Sequence, residues 1–163
     1  MSPSRTMTLA VNGRPRQVAV AANETLLETL RDMGAVEVKC GCEKGDCGAC
    51  AVLLDGLAVD SCLCLTWTVA QRAVTTVKGL GTAADPHPLQ TAFAERGAVQ
   101  CGYCTPGFII AAKSLLDNDT DDPGEDKIRY ALSGNFCRCT GYNKILDAVS
   151  EAAQVLREEA SVR

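Results

Sequence analysis

Residues 40–50 read CGCEKGDCGAC, a stretch in which four cysteines and three glycines share eleven positions. Gly41, Gly45 and Gly48 allow the positive φ angles and close backbone approaches that a tightly wound loop requires. A loop of this kind wraps several thiolates around one metal group while its backbone N–H groups point toward them. The stretch therefore predicts a metal-binding loop.

The spacing of the cysteines in this region indicates which metal group is bound. Cys42, Cys47 and Cys50 form C-x4-C-x2-C, and Cys62 follows after eleven further residues. This is the spacing of the ligands of a plant-type [2Fe–2S] cluster. A structural zinc site more often takes two short pairs of ligands. The spacing therefore favours a [2Fe–2S] cluster over zinc.

A second group of four cysteines lies in the C-terminal half. Cys101 and Cys104 occur in QCGYCTPG, and Cys137 and Cys139 occur in NFCRCTGY, with 32 residues between the two pairs. Each pair precedes a predicted helix, whose N-terminal dipole and free N–H groups favour a negatively charged cluster. Because C-x2-C with C-x-C suits either a [2Fe–2S] cluster or zinc, this spacing leaves both open.

Composition and charge restrict the class of protein. The 163 residues include ten cysteines and carry a net charge of −4, with no basic run, which argues against a nucleic-acid or anionic-membrane partner. The N-terminal residues contain no apolar secretion signal, and no membrane span is expected. We therefore expect a cytoplasmic protein, in which thiols persist mainly by holding metal or doing redox chemistry. The only histidine, His87, is expected in a loop or interface contact, so nucleophilic catalysis has no candidate.

The first half of the chain is predicted to be a β-rich domain covering residues 1–79. Alternating apolar and polar residues flank Asn12-Gly13, which predicts a hairpin. Asn23 is the predicted N-cap of the following helix, and Gly34 is its predicted end. Five strands are predicted, at residues 6–11, 16–20, 51–56, 57–62 and 73–77.

A linker rich in Gly and Pro at residues 80–88 is predicted to separate this domain from a helical one at residues 89–163. Thr105 is the predicted N-cap of the second helix there. The acidic residues 117–126 predict a solvated loop. Four helices are predicted, at residues 89–96, 106–116, 125–132 and 144–158.

The motifs GCEKGDCGAC, SC, QCGYCTPG and GNFCRCTGY, in this order, resemble the small iron–sulfur subunit of the molybdenum hydroxylase, or xanthine oxidase, family. The likeness runs from Thr6 to Leu156, and Ala51 in place of a more frequent Thr is a small departure. It implies an α+β fold, with an N-terminal β-grasp plant-type ferredoxin domain followed by a C-terminal four-helix bundle. Each domain would hold one [2Fe–2S] cluster.

The resemblance also implies roles for individual residues. Gln100 would approach the pterin of a partner. Cys40 and Cys64 have no role in the pattern and are expected to pack as small hydrophobic side chains. The implied ligands are Cys42, Cys47, Cys50 and Cys62 for the N-terminal cluster and Cys101, Cys104, Cys137 and Cys139 for the C-terminal cluster.

Together these inferences predict an electron-transfer subunit of a molybdenum hydroxylase-type oxidoreductase. The resemblance implies a large molybdopterin-binding subunit and a medium FAD-binding subunit as partners, in a dimer of heterotrimers, with the substrate site on a partner chain. A stand-alone ferredoxin with a zinc-bound helical interaction module is the alternative. Trp67 and Tyr103 are expected to serve in core or surface packing.

Overall fold

The computed structural model describes residues 4–119 and 122–161. Its strands form one five-stranded sheet in the order β2-β1-β5-β3-β4. The strands are β1 Ser4–Val11, β2 Arg14–Ala21, β3 Ala51–Leu54, β4 Leu57–Asp60 and β5 Ala73–Thr75. The α-helices are α1 Leu26–Asp32, α2 Pro88–Glu95, α3 Thr105–Asn118, α4 Glu125–Leu132 and α5 Asn143–Ser161.

The predicted hairpin opens the chain. β1 and β2 pair antiparallel, and the turn residues Asn12 and Gly13 have φ angles of 51° and 73°. Positive φ at both central positions defines the type I′ turn that an Asn-Gly pair favours. β5 then pairs parallel to β1 and antiparallel to β3, which closes a mixed sheet. Leu9, Val52 and Val74 from this sheet pack against α1 in the N-terminal core.

The start of α1 differs from the prediction that Asn23 caps it. Thr25 is the N-cap, because its Oγ1 accepts a hydrogen bond from the Glu28 N–H while Oε2 of Glu28 accepts the Thr25 N–H at 2.7 Å. This reciprocal capping box satisfies two N–H groups at the helix start, which Asn23 cannot do from two residues further out. The predicted end is confirmed, since Gly34 has a φ of +89°.

The second half contains the four predicted helices, α2 to α5, around one apolar core. Two helix starts differ from the sequence interpretation. Thr105 is the first residue of α3, and Cys104 takes the N-cap position instead. His87 caps α2, since its Nδ1 accepts the Leu89 N–H at 3.2 Å. The core is built mainly from Phe93, Phe108, Ile128, Ile145 and Val149.

The acidic connection before α4 holds ion pairs in its described part, although residues 120 and 121 of the predicted loop lie outside the described residues. Asp117 pairs with Lys113, and Asp122 pairs with Arg157. Asp119 lies 2.9 Å from the ammonium of Lys127. The Asp117 pair therefore lies within α3, whereas Asp119 and Asp122 tie the connection to α4 and α5.

The two halves meet where α3 packs on β3. Ile110 of α3 is fully buried against Ala51 and Leu53, and the Ala58 N–H donates to Oγ of Ser114 at 3.0 Å. The architecture confirms the α+β fold class. Across residues 4–119 and 122–161, no helix has both the length and the hydrophobicity needed to cross a bilayer.

Candidate metal centres

The N-terminal cysteine loop runs between α1 and β3. Cys50 directly precedes β3, and Cys62 lies in a 3-10 turn, Ser61–Leu63, directly after β4. The β3–β4 hairpin returns the chain to its start, where the hydroxyl of Ser61 donates to the Cys50 carbonyl at 2.7 Å. The thiols then act on one another in two pairs, Cys42 with Cys47 and Cys50 with Cys62.

The three glycines of the loop make this winding possible. Gly45 and Gly48 have φ angles of +79° and +67°, which L side chains rarely adopt. Gly41 serves by its size, because a Cβ there would lie 2.7 Å from the sulfur of Cys47. The loop therefore has the positive φ angles and close approach that its sequence predicted.

Thiols in this loop have opposite surroundings. Cys42 Sγ accepts the backbone N–H groups of Lys44 at 3.4 Å and Asp46 at 3.3 Å, which lower the pKa of Cys42 to about 7. Burial instead raises the pKa of Cys50 to about 12. Because a metal ligand binds as the thiolate, bound metal must displace the proton from the buried member.

The C-terminal cysteines converge at the starts of two helices, as predicted. Cys104 caps α3, and Cys139 lies four residues before the first residue of α5. Thiols act on one another across the two motifs, Cys101 with Cys139 and Cys104 with Cys137. Each pair therefore joins residues from separate segments of the chain.

Cys137 receives the most donors of this group. Its sulfur accepts the Thr140 hydroxyl at 3.1 Å and the N–H groups of Thr140 and Cys139, each at 3.4 Å. Burial raises the pKa of Cys137, but these donors outweigh it and bring the pKa to about 7. The Cys137 N–H in turn donates to the hydroxyl of Tyr142 at 3.0 Å. Burial raises the pKa of Cys104 to about 12.

The donor set fits two binuclear iron–sulfur clusters. A [2Fe–2S] cluster takes four thiolates, two on each iron, and each group of four cysteines forms two pairs. A structural zinc ion needs four ligands around one point. The two metal groups therefore differ in how many ions the four thiols share, which metal analysis of the purified chain distinguishes.

The remaining predicted residues lie around these centres. Gln100 is exposed and directly precedes Cys101. Cys40 and Cys64 pack partly buried against the N-terminal core, and the Cys40 thiol donates to Oε1 of Glu43 at 2.8 Å. The Trp67 indole N–H donates to the Ala22 carbonyl at 3.1 Å, so Trp67 is a surface packing residue.

Sequence reasoning missed three polar residues of the C-terminal segment. Thr140 and Tyr142 hydrogen-bond to Cys137, and Asn135 reaches across to the other loop. All three lie within the quoted motif GNFCRCTGY, which is the only indication of their position that the sequence offers. Their partners depend on folded geometry, which residue spacing does not reveal.

Comparison with known proteins agrees with this organisation. Residues 9–75 match the family of 2Fe-2S iron-sulfur cluster binding domains, and residues 76–150 match a second family of [2Fe-2S] binding domains. The nicotinate dehydrogenase small FeS subunit of Eubacterium barkeri is 45% identical over 91% of this chain and 95% of its own length. The xanthine dehydrogenase iron-sulfur-binding subunit of Escherichia coli O157:H7 is 42% identical over 91% of this chain and 96% of its own.

Solved structures give the same result. Quinoline 2-oxidoreductase from Pseudomonas putida 86 contains a chain that superposes with a TM-score of 0.88 and 37% identity, covering 96% of this chain and 98% of that one. Aldehyde oxidoreductase from Desulfovibrio gigas superposes with a TM-score of 0.90 and 42% identity, covering 95% of this chain but 17% of that one. The same fold therefore occurs as a separate chain and as part of a longer one.

Two [2Fe–2S]-binding domains in series define an iron–sulfur protein that forms part of an oxidoreductase. More specifically, the chain belongs to the small iron–sulfur subunits of the molybdenum hydroxylase family.

Proposed function

We propose that the chain carries electrons between a molybdopterin centre and FAD, both held on partner subunits, through two [2Fe–2S] clusters. The observation that carries the proposal is the arrangement of the eight predicted ligand thiols in four pairs, two pairs in each half of the chain. When bound, such clusters accept and release single electrons.

The residues around the thiols support binding of a negatively charged group. Backbone N–H groups converge on Cys42, and the N–H groups and hydroxyl of residues 139–140 converge on Cys137. Such donors compensate the negative charge that four thiolates bring to each cluster. The N-termini of α3 and α5 lie beside Cys104 and Cys139, and the positive end of each helix dipole favours a negatively charged cluster there.

The substrate-binding site is proposed to lie on a partner chain. His87, the only histidine, serves as a helix cap, so it is not arranged for acid–base chemistry. Exposed apolar side chains lie beside the cysteines. They are Leu63 near the N-terminal loop, and Tyr103 and Phe136 in the two C-terminal cysteine motifs. We propose that large molybdopterin-binding and medium FAD-binding subunits cover these surfaces, in a cytoplasmic dimer of heterotrimers.

Metal analysis with an anaerobic redox titration of the purified chain tests the proposal. We expect iron without zinc and uptake of two electrons per chain, one for each [2Fe–2S] domain. The Cys47→Ser and Cys104→Ser variants should each lose one of these electrons. Uptake of one electron by the wild-type chain, together with bound zinc, would instead identify the ferredoxin with a zinc-bound helical module.

Gln100 provides a test of the contact between the C-terminal cluster and the molybdopterin-binding partner. We propose that its exposed amide contacts the pterin beside the C-terminal cluster. In the assembled complex, Gln100→Ala should keep both clusters but slow reduction of the C-terminal cluster by substrate, as followed by rapid-freeze spectroscopy. Gln154→Ala, an exposed glutamine on α5, is the control. Unchanged reduction in Gln100→Ala would remove Gln100 from this role.

A further inference from the structure

Three hydrogen bonds cross directly from the C-terminal cysteine motifs to the N-terminal cysteine loop. The Phe136 N–H donates to the Cys47 carbonyl at 3.0 Å, and Nδ2 of Asn135 donates to the Gly48 carbonyl at 3.1 Å. The Tyr103 hydroxyl donates to the Cys40 carbonyl at 2.5 Å. The backbone of the first loop is therefore held by residues from the other half of the chain.

The Gly48 carbonyl is the most enclosed of these acceptors. Asn135 is 6% exposed, so its amide is committed to this contact. A Cβ on Gly107, at the start of α3, would lie 2.2 Å from the Gly48 oxygen, so α3 closes a second side. Gly107 follows Cys104 by three residues and Asn135 precedes Cys137 by two, so both C-terminal cysteine motifs supply parts of this enclosure.

The contact reaches a predicted ligand through one peptide unit. The Gly48 carbonyl and the Ala49 N–H belong to the same planar peptide, so fixing one end fixes the direction of the other. Burial raises the pKa of Cys47, and the Ala49 N–H acts on the same thiol in the opposite direction. A carbonyl that accepts a hydrogen bond also strengthens the N–H donor of its own peptide. The Ala51 N–H also donates to the Gly48 carbonyl, at 3.2 Å, so Asn135 and Ala51 together fix the direction of the Ala49 N–H beside Cys47.

We propose that Asn135, which lies in the C-terminal cysteine motif, is a positioning residue for the N-terminal metal centre. It acts through the Gly48–Ala49 peptide on the sulfur of Cys47. The inference rests on the ligand assignment of the proposed function, because it requires iron at Cys47. Hydrogen bonds to ligand sulfurs contribute to the reduction potential of a cluster, so Asn135 also contributes to the potential of the N-terminal one.

Full-length Asn135→Ala and Asn135→Asp variants test the proposal. Aspartate keeps the shape of asparagine but lacks the donor. Asn118→Ala is the matched control, since Nδ2 of Asn118 also contacts a glycine carbonyl of the other half, that of Gly56, at 3.5 Å and away from the cysteines. Iron release to a chelator is timed while freed thiols are alkylated and mapped. Anaerobic titration with electron paramagnetic resonance gives the potential of each cluster.

In both Asn135 variants we expect the cysteines at positions 42–62 to be alkylated first. Iron should leave these cysteines roughly tenfold faster than in the wild-type chain, because one buried hydrogen bond contributes a free energy of about that size. The potential of the N-terminal cluster should become more negative, because a donor that stabilises the reduced, more negative cluster is weakened. The C-terminal potential and the Asn118→Ala chain should match the wild type.

The opposite order of alkylation, with the cysteines at positions 101–139 first, would overturn the proposal because Asn135 would then support its own segment. The proposal would also be overturned if iron release and cluster potentials in both Asn135 variants matched those of Asn118→Ala. A wild-type chain with no iron at Cys47 would instead refute the ligand assignment.

A further measurement needs no change at Asn135. In Cys47→Ser, which removes a ligand from the first loop, amide hydrogen exchange at Phe136 should accelerate because the Cys47 carbonyl no longer holds its place. Unchanged exchange at Phe136 would count against the coupling between the two loops.

Discussion

The predicted ligand thiols differ in pKa according to their surroundings. Cys42 and Cys137 each accept several donors and have a pKa of about 7, whereas burial raises the pKa of Cys50 and Cys104 to about 12. Each centre thus combines one thiol whose pKa is lowered by hydrogen-bond donors with one thiol whose pKa is raised by burial. The donor-rich member is the better first attachment point for iron because it is most easily deprotonated.

Gly48 is predicted to tolerate substitution poorly, because it combines a positive φ with close neighbours. Gly48→Ala places a Cβ 2.7 Å from the backbone oxygen of Gly134 and 2.3 Å from Nδ2 of Asn135, at a φ of +67°. Gly56→Ala is the matched control, because its φ is +86° but no atom lies within 4 Å of the added carbon. The control should cost about 1–2 kcal/mol from backbone strain alone.

Gly48→Ala should cost more than the control, and should lower the iron content as well as the thermal unfolding midpoint. Iron analysis and calorimetry of the two variants give the comparison. Equal losses in both would show that the contact with the helical half has no effect on stability.

Cys40 and Cys64 are predicted to be dispensable for metal binding. Both pack partly buried against the N-terminal core. Cys40→Ala and Cys64→Ala should therefore keep the four irons expected from two [2Fe–2S] domains and lose about 1 kcal/mol of stability at most. Iron analysis checks this, and a fall to two irons in either variant would show that the ligand set is wrong.

At the scale of elements, the N-cap of α1 can be tested by comparing substitutions at Thr25 and Asn23. Thr25→Ala removes the acceptor of the Glu28 N–H and should lower the free energy of unfolding by about 1 kcal/mol. Asn23→Ala changes the exposed residue that the sequence pattern predicts as the cap, and should change the free energy of unfolding by less than about 0.5 kcal/mol. Denaturation of both variants, compared at equal iron content, decides between the two caps.

Elements with strong local determinants were predicted well. Asn12-Gly13 fixes the first hairpin by its turn geometry, and α4 has the predicted bounds of residues 125–132. The cap of α1 was wrong although Thr25 and Glu28 supply the T-x-x-E pattern, because Asn23 is an equally favourable cap type by itself. Cys62 was placed in a strand, but a 3-10 turn is too short to show a period in the sequence.

In the candidate site, too, local features were predictable from the sequence and long-range contacts were not. Spacing indicates two groups of cysteines, because the ligands of one cluster lie close along the chain in the N-terminal loop, and the ligand sets stay a prediction. The pairing of Cys101 with Cys139 and of Cys104 with Cys137 depends on how α3 and α5 pack, and so did not follow from spacing. The contact of Asn135 with Gly48 spans 87 positions and has no local determinant.

At the scale of the whole molecule, the chain has two apolar cores with a thin layer between them. The sheet and α1 enclose one core, and α2 to α5 enclose the other. Ile110 forms the connecting layer with Ala51 and Leu53. The division at residues 80–88 stays a prediction, and its test is whether each core keeps its own stability when this layer is weakened.

Ile110→Ala and Ile128→Ala form the pair of variants for that test. Both side chains are almost fully buried, at 0% and 1% exposure, so each truncation should cost about 2–5 kcal/mol. Ile128 belongs to the helical core alone, whereas Ile110 contacts β3. Under native conditions, amide hydrogen exchange in β3 should therefore accelerate in Ile110→Ala, while in Ile128→Ala the faster exchange should stay within the helices. If amide exchange in β3 accelerated equally in Ile110→Ala and Ile128→Ala, the chain would open as one cooperative unit. The two-domain description would then be wrong.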